Sequence, residues 1–474
     1  MKFSLKISKA EELPADGLAF FAWEGEMEKA GFKGKQEEIL VCPGKEGLVE
    51  KIYFVGLGKK EEATPLVLRK IFALLGKRAK SEVCQTLVLS LKTLAEKKDF
   101  SLFDLGQGAT EGFLLGSYKF LKYKSKPPEE TEVGEVIFAV DDASELVAVK
   151  EGISRGEIFS QAVSFTRDLV NEPASVTTPT YLANLAQKLA KTNGFSCRVY
   201  EKDELEKLGM GAFLGVARGS EEPAKFIRLD YRNGKKTIVL VGKGITFDTG
   251  GLSLKKQEEM ETMKMDMAGA AAILGIFSVL DKIKPKLHLV GLIPCTENMP
   301  SGKAIKPGDI VKSYNGKTIE VVNTDAEGRL ILADALSFGS ELKPDLMIDL
   351  ATLTGACIVA LGEEVAGLFT QEEELKKEIL KAAESAGEKF WPMPLEKDYK
   401  ELLKSEIADI KNVTGKKYGG AITAALFLQE FVKDTPWLHL DIAGPAWEEK
   451  GTDFIPKGGS GFGVRTLLNF LQSL

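Results

Sequence analysis

Residues 237–241 read Thr-Ile-Val-Leu-Val, an unbroken β-branched and apolar run too short to be a core helix. A run of this kind suits a strand buried on both faces, as in a largely parallel sheet covered by helices. The rest of the chain repeats this alternation of short apolar runs and helix-period segments, which predicts an α/β fold. Strand-like runs occupy 38–42, 51–58, 85–91 and 134–140; helical patterns occupy 66–79, entered at Pro65, and 111–123. Pro127, Pro128 and the glutamates after them predict a loop. A long helical pattern then runs from Ser144 to Val170 and is broken by Pro173 and Pro179. The expectation is a two-domain α/β protein: a smaller N-terminal α/β domain over 1–150, a bridging helix over 151–172, and a larger α/β domain with a mixed central sheet over 173–474.

Composition narrows the function. Of 474 residues, 44% are apolar, enough for a sizeable core. Basic residues number 63 against 69 acidic, a net charge of −6, and the first 150 residues hold 23 against 24. Neither part has the basic excess of a dedicated nucleic-acid binder. The longest uncharged apolar run, 267–280, has 14 residues, short of the roughly 18 or more that a membrane-spanning helix needs. The opening MKFSLKISKAEELPADG contains no apolar h-region, so no signal peptide is expected and a cytoplasmic setting is. Five scattered cysteines without a CxxC pair argue against a disulfide framework or a Cys-rich zinc site. With only His288 and His439, no HExxH or three-His zinc site can be assembled.

The chemistry-bearing residues concentrate in a few segments. The 237–241 run leads into a glycine turn carrying Lys243 and Asp248, at the carboxyl end of a strand, where open α/β sheets bind ligands. Gly242 and Gly244 begin a GxG, but Phe247 stands at the third glycine position, so the dinucleotide fingerprint is incomplete. Lys255 lies in the following loop. Asp266 opens a helix whose Ala/Gly-rich first turn allows close packing on a sheet, and a helix-start carboxylate on the macrodipole is its ordinary reading. A strand over 318–322 runs into Asn323-Thr-Asp325-Ala-Glu327-Gly-Arg329. If this loop stays extended, Asp325, Glu327 and Arg329 point to one side, and the two carboxylates repel unless a cation lies between them. A solvated loop with an Arg–acid pair is the ordinary alternative. Two further strands, beginning at Asp345 and Trp437, end in small polar residues suited to a pocket wall. Taken as parts of one sheet, Asp248, Asp266, Asp325 and Glu327 sum to −4, which two divalent cations neutralise. Without histidine the ligands are hard oxygens and at most one amine, for which Lys243 must lose its proton. A two-metal cluster of this kind activates water and polarises a carbonyl.

The segments VGKGITFDTGG, GLSLK, MKMDMAGAA and NTDAEGRL, in this order, resemble the signatures of the leucyl aminopeptidase family, the M17 cytosol aminopeptidases. NEPASVTTP, LATLTGA, HLDIAG and GFGVRTL extend the resemblance over most of residues 165–474. It implies a metallo-exopeptidase that removes N-terminal residues, leucine and other mostly apolar ones, from peptides with a free N-terminus. It also implies two divalent ions per subunit, Zn2+ or Mn2+ with Mg2+ sometimes accepted, and a homohexamer with the N-terminal domains outermost. Carried onto this sequence, Lys243, Asp248, Asp266 and Glu327 would hold one metal, and Asp248, Asp325 and Glu327 the other, exchangeable one. Lys255 would hydrogen-bond the scissile carbonyl, and Arg329 would hold a bicarbonate or a water that shuttles a proton. Met263, Thr352, Gly355 and Ala443 would line the pocket for the first side chain, with Asn323 also at the substrate and the Leu353 backbone positioning the peptide. Thr249 stands where the family often has Ser, Ala268 stands where Gly is common, and KKQEEM lacks the usual Pro and Gly. None of these departures removes a ligand.

The remaining signals have ordinary readings. His439, in an apolar strand, reads as a satisfied core histidine, Cys357 as a buried structural thiol, and the glycine cluster over 458–463 as a packing turn. Arg69, Lys70, Lys77 and Arg78 read as a solvated helix face. Two readings of other classes stand beside the peptidase. One is a DNA-binding regulatory role through the N-terminal domain, which some family members have and which the near-neutral charge of 1–150 disfavours. The other is a metal-dependent phosphoesterase, disfavoured by a lysine ligand and a single anchoring arginine.

Overall fold

The computed structural model describes residues 1–474 except 28, 30, 45–46, 92–93, 95–99 and 127–131, so the loop expected at Pro127 and Pro128 lies outside the described residues. The chain divides into two compact units, Met1–Ser164 with Lys450–Lys457, and Phe165–Glu449 with Gly458–Leu474. The division falls inside one 29-residue helix, Ala143–Asn171.

In the first unit, six strands follow the order Lys2–Ile7, Glu135–Val140, Thr86–Ser90, Ala15–Ala22, Val49–Gly56 and Ile39–Pro43. All neighbours are parallel except the last pair. Lys2–Ile7 and Ala15–Ala22 are additional to the expected strands: one is an edge strand carrying lysines, the other opens on Ala-Asp-Gly. The helix Pro65–Ser81 starts as its sequence predicts, with Pro65 in the first turn and Thr64 Oγ1 accepting the Val67 N–H at 3.2 Å. The next helix, Leu102–Gly116, begins well before the expected 111 and stops at Gly116. Gly112, inside the expected helical pattern, lets two helices touch. A Cβ on Gly112 would lie 2.6 Å from Phe72 Cβ and 2.7 Å from the Arg69 carbonyl.

That close approach corrects the reading of Arg69. Its Nε lies 2.6 Å from Glu111 Oε2, and Gln107 Nε2 donates to Glu111 Oε1 at 2.7 Å, all of it buried. Of the basic group only Arg69 is buried: Lys70 is half-buried, and Lys77 and Arg78 are exposed, Lys77 3.0 Å from Asp453 and Arg78 2.9 Å from Glu82. Asp453 belongs to Lys450–Lys457, the late segment that joins this unit.

The second unit is built on a nine-stranded mixed sheet. At its centre Trp437–Asp441, Leu346–Ala351, Thr237–Gly242 and His288–Asn298 are parallel neighbours. Val365–Phe369 and Lys225–Arg232 add antiparallel strands on the two sides. Side chains alternate along a strand, and the two faces of Thr237–Gly242 meet different helices. Val239 approaches Gly339 of the helix Gly328–Glu341, whereas Gly242 approaches Gly269 and Ile273 of the helix Ala268–Phe277. A Cβ on Gly269 would lie 2.0 Å from the Leu350 carbonyl, which accounts for the small residues at the start of that helix. Thr318–Glu320 is not part of the central sheet, as the sequence reading had assumed. It pairs with Ile310–Lys312 and Ile410–Lys411 in a separate three-stranded sheet.

Asp334 ties these layers together. Fully buried on the helix Gly328–Glu341, it accepts the Phe213 N–H on Oδ2 at 2.9 Å and the Tyr314 N–H on Oδ1 at 2.7 Å. Asp334→Ala orphans both donors, at about 1–3 kcal/mol per buried group. A loss of about 2–4 kcal/mol is expected, read as a lowered midpoint in urea unfolding followed by circular dichroism.

Candidate metal centre

The strand Thr237–Gly242 ends at Lys243, and the chain re-enters the sheet at once as Gly244–Asp248 instead of making the expected glycine turn. Lys243 and Asp248 therefore flank one short strand, and both are buried, at 3% and 2% exposure. Asp266 follows the turn Met263–Met265 and precedes the helix Ala268–Phe277. The loop after Thr318–Glu320 is not extended. Asn323 Oδ1 accepts the Asp325 N–H at 2.8 Å, closing a turn, and Glu327 already has helical angles of −77° and −34° ahead of Gly328–Glu341. Asp325, Glu327 and Arg329 thus converge through a turn and a helix start, not through the two-residue period of a strand.

These elements bring one oxygen each of Asp248, Asp325 and Glu327 within 4.8 Å of one another. Two lysines enter among the carboxylates. Lys243 Nζ lies 2.7 Å from Asp266 Oδ1 and 3.0 Å from Glu327 Oε1, and donates to the Thr352 carbonyl at 2.8 Å. Lys255 Nζ lies 2.9 Å from Asp248 Oδ2 and 2.5 Å from Asp325 Oδ1. Burial pulls both ammonium groups down, but the carboxylates outweigh it and raise them: Asp266, Glu327 and Asp248 for Lys243, and Asp248 with Asp325 for Lys255. The acids are raised as well, here by burial itself. Burial and then the Asp248 charge carry Glu327 up to about 8, while burial, against Lys243, carries Asp266 up to about 6. Asp325 is raised by burial and by Asp248.

Crowded like charges of this kind call for more positive charge than two lysines bring. Glu327 Oε2 and Asp266 Oδ2 are buried and accept no hydrogen bond, and unpartnered carboxylate oxygens are hard donors suited to a divalent cation. The residues present therefore fit a metal. Arg329 is also buried. Its Nη1 donates to the Asn412 carbonyl at 2.7 Å while its Nε has no hydrogen-bond partner. Burial pulls the guanidinium down to about 10, which leaves it charged at neutral pH.

Neutral groups set the geometry. Asp248 Oδ1 accepts from Asn298 Nδ2 and from the Gly250 N–H, both at 2.8 Å. Asn298 Nδ2 also donates to the Thr324 carbonyl at 3.0 Å, and Thr324 Oγ1 donates to the Gly250 carbonyl at 2.7 Å. The loop bearing Lys255 is thereby fastened to the loop bearing Asp325. Gly250 sits at φ +83°, and a Cβ there would lie 2.9 Å from Asp325 Oδ1. Thr249 Oγ1 donates to the Asn298 carbonyl at 2.7 Å, so the extra methyl relative to Ser leaves the hydroxyl in use.

The expected pocket residues fall on neighbouring elements. Thr352 Oγ1 donates to Asp266 Oδ1 at 2.7 Å. Asp441 Oδ1 accepts the N–H groups of Leu353 at 3.1 Å and Ala443 at 3.2 Å, and Asp441 Oδ2 accepts Thr354 Oγ1 at 2.7 Å. The Leu353 N–H is thus committed within the protein. Gly355 opens the helix Gly355–Leu361, Met263 lies on the turn before Asp266, and Asn323 makes the turn at Asp325. Asn298, Thr324, Asn412 and Asp441 escaped the sequence reading. All four are buried, and only Asp441, a lone acid in the apolar stretch Leu438–Ala443, carries a local signal that could have marked it.

The other singled-out residues have structural settings. Cys357 is buried, and burial pushes its thiol up to about 12. His439 is buried with Nδ1 2.6 Å from Asp349 Oδ1, but its Nε2 has no partner, so the core histidine is only half satisfied. In the glycine cluster, Glu388 Oε2 accepts the N–H groups of Gly463 and Thr466, both at 3.2 Å. A carboxylate already fills the helix start that a phosphate would need.

The model of the cytosol aminopeptidase family catalytic domain matches residues 164–468, and that of the family's N-terminal domain matches residues 27–127. The chain belongs to the cytosol aminopeptidase family. Among its relatives, a probable cytosol aminopeptidase of Aquifex aeolicus is 46% identical over 453 residues, covering 94% of this chain and 90% of that one. Another, of a Sulfurihydrogenibium species, is 42% identical over 498 residues, covering 99% and 98%. Among solved structures, the bottromycin maturation enzyme BotP in complex with Mn has a TM-score of 0.88 and 38% identity, covering 97% of this chain and 99% of its own. A mutant of tomato leucine aminopeptidase has a TM-score of 0.89 and 34% identity, covering 100% and 97%. As a cytosol aminopeptidase the chain is a metal-dependent exopeptidase, a hydrolase. Among the described residues, no helix is long and apolar enough to cross a membrane.

Gly328 gives this centre a sensitive point. A Cβ there would lie 2.5 Å from Lys243 Cε and 2.7 Å from its Nζ, the flexible end of that side chain. Gly328→Ala is expected to move the amine off Asp266 and Glu327 at small cost in stability. Aminopeptidase turnover should fall about tenfold or more, with the thermal midpoint shifted by only a few degrees, as read by paired kinetic and calorimetric measurements.

Proposed function

We propose that the chain is a two-metal aminopeptidase that releases leucine and other mostly apolar residues from the free N-termini of peptides. The observation that carries the reading is the convergence of Asp248, Asp325 and Glu327 within 4.8 Å, beside buried unpartnered oxygens of Glu327 and Asp266. Lys243, Asp248, Asp266 and Glu327 would hold one cation, and Asp248, Asp325 and Glu327 the other, exchangeable one. Bound Zn2+ or Mn2+, with Mg2+ as a substitute, supplies Lewis acidity toward water, the scissile carbonyl and the substrate's α-amine. Lys243 keeps its proton while carboxylates alone surround it, and serves as an amine ligand where the field of a cation replaces theirs.

The protein's own groups do the rest. Lys255, an ammonium held between Asp248 and Asp325, would donate to the carbonyl oxygen as it gains negative charge. Arg329, charged and with an Nε that has no hydrogen-bond partner, would orient a bicarbonate or a water that carries the proton from nucleophile to leaving amine. Met263, Thr352, Gly355 and Ala443 would receive the first side chain, with Asn323 and the Leu353 backbone along the peptide. The family resemblance also supports a cytoplasmic homohexamer. Exposed Val359, Trp391 and Tyr418 on the catalytic unit are apolar surface that such an assembly would cover. The DNA-binding alternative is weakened by Arg69, which turns inward to Glu111 and leaves the N-terminal unit one surface cation fewer.

Leucine-p-nitroanilide hydrolysis by metal-stripped protein tests the reading. Activity is expected only after Mn2+ or Zn2+ is restored, with a loss of at least about a hundredfold in Asp325→Ala and Lys255→Ala and none on the N-acetylated substrate. Wild-type turnover in stripped protein, or in Asp325→Ala, overturns it.

A further inference from the structure

Asn412 is fully buried and directly follows the two-residue strand Ile410–Lys411, which pairs with Thr318–Glu320. Its N–H donates to the Glu320 carbonyl at 2.9 Å, carrying the ladder one step toward the carboxylate loop. The side-chain amide then spends its hydrogen-bonding capacity on that loop. Oδ1 accepts the N–H groups of Val322 at 2.8 Å and Asn323 at 3.4 Å, while Nδ2 donates to the carbonyls of Asn323 at 2.7 Å and Ala326 at 3.4 Å. An amide can offer two donors and two acceptor lone pairs, so nothing is left over for other parts of the protein. The residue's own carbonyl is the acceptor for Arg329 Nη1 at 2.7 Å.

One residue therefore grips the backbone on both sides of Asp325 and also seats the guanidinium of Arg329. Asp325 lies between the clamped Asn323 and Ala326, and Glu327 is the next residue along. A loop so short has few internal restraints: the Asn323–Asp325 turn and an Ala326 N–H to Asn323 carbonyl contact at 3.3 Å. The loop is consequently held from outside: through Thr324 by Asn298, Ser253 and Gly250 on one side, and on the other by Asn412, which is also the residue that ties it to Arg329.

We propose that Asn412 is a positioning residue for aminopeptidase turnover, setting the register of Asp325 and Glu327 against Arg329. The proposal rests on the roles given above to those three residues. It separates positioning from mere stability, because a clamp that only held the fold together would not couple to Arg329.

The test uses Asn412→Asp and Asn412→Ala in the full-length, Mn2+-loaded protein. The aspartate keeps the shape and the acceptor oxygen but turns the two donor bonds into repulsions with the Asn323 and Ala326 carbonyls. Support structures one step removed from a metal typically contribute 10–100-fold to affinity or activity. Both variants are expected to lose about 10–100-fold in kcat with KM within about threefold, and to release Mn2+ more readily by a comparable factor, read from the electron paramagnetic resonance of the free ion. In an Arg329→Ala background the same substitutions should cost much less, because residues acting as a unit are not additive. Should Asn412→Asp fail to fold, Asn412→Ser, which retains a hydroxyl without the added charge, supplies the same comparison.

Wild-type kcat and Mn2+ affinity in a folded variant overturn the proposal. So does a loss of kcat that merely follows the folded fraction, or one that is fully additive with Arg329→Ala. Arg329→Ala and Asp325→Ala alone report on the underlying reading: if they are inactive while the Asn412 variants are normal, only the positioning role fails. If they turn over at the wild-type rate, the assignment of the centre itself fails.

Discussion

Carboxylates buried side by side are unfavourable unless positive charge is brought to them, and the catalytic unit is laid out around that requirement. Asp248, Asp266 and the Asp325–Glu327 pair reach one region from three separate segments, and each carboxylate arrives with a partner prepared for it. Lys243 and Lys255 each span two of the four. The lysines do not complete the neutralisation: Glu327 and Asp266 retain raised carboxyl groups and one unpartnered oxygen each. That deficit separates a metal centre from a set of structural salt bridges. In a purely structural network such as Arg69 with Glu111 and Gln107, both carboxylate oxygens have partners.

Charge alone does not place these groups, because ion pairs tolerate a range of distances. The geometry comes from neutral donors and acceptors with narrow angular demands. Asn298 and Thr324 join the two carboxylate-bearing loops, Asn412 holds the second loop from behind, and Asp441 binds the segment from Leu353 to Ala443. Asn298 and Asp441 stand on strands and Asn412 directly follows one, so the rigidity of the sheets is passed to otherwise irregular loops. Small residues do the complementary task of letting helices come close. Gly269 against Leu350 and Gly328 against Lys243 are both contacts that a methyl group would obstruct.

The α/β class, the long helix, the mixed central sheet and the charged members of the site were all legible in the sequence. Their signals are local: apolar runs of strand length, a Pro65 helix start, and acids next to glycine. What was not legible depends on contacts distant in sequence. The turn before residue 111, which contains Gly106 and Gly108, shows no helical pattern of its own, and Gly112 gives no sign in sequence that Phe72 lies against it. Arg69 looks solvated until Glu111 is placed on the facing helix. The loop at Asp325 was expected to be extended, but the Asn323 side chain closes a turn that strand periodicity does not foresee. Asn412, almost ninety residues from the backbone it clamps, carries no mark in its own neighbourhood beyond being polar and buried.

The path of Lys450–Lys457 bears on how the protein is made. These residues belong to the unit whose other members all precede Phe165, with Lys77 reaching the Thr452 carbonyl at 3.4 Å and Asp453 at 3.0 Å. During synthesis the N-terminal unit leaves the ribosome first, yet its final segment emerges only after nearly the whole catalytic unit has been made. Early folding of the first unit thus lacks these contacts, which form only once translation has passed the clustered carboxylates.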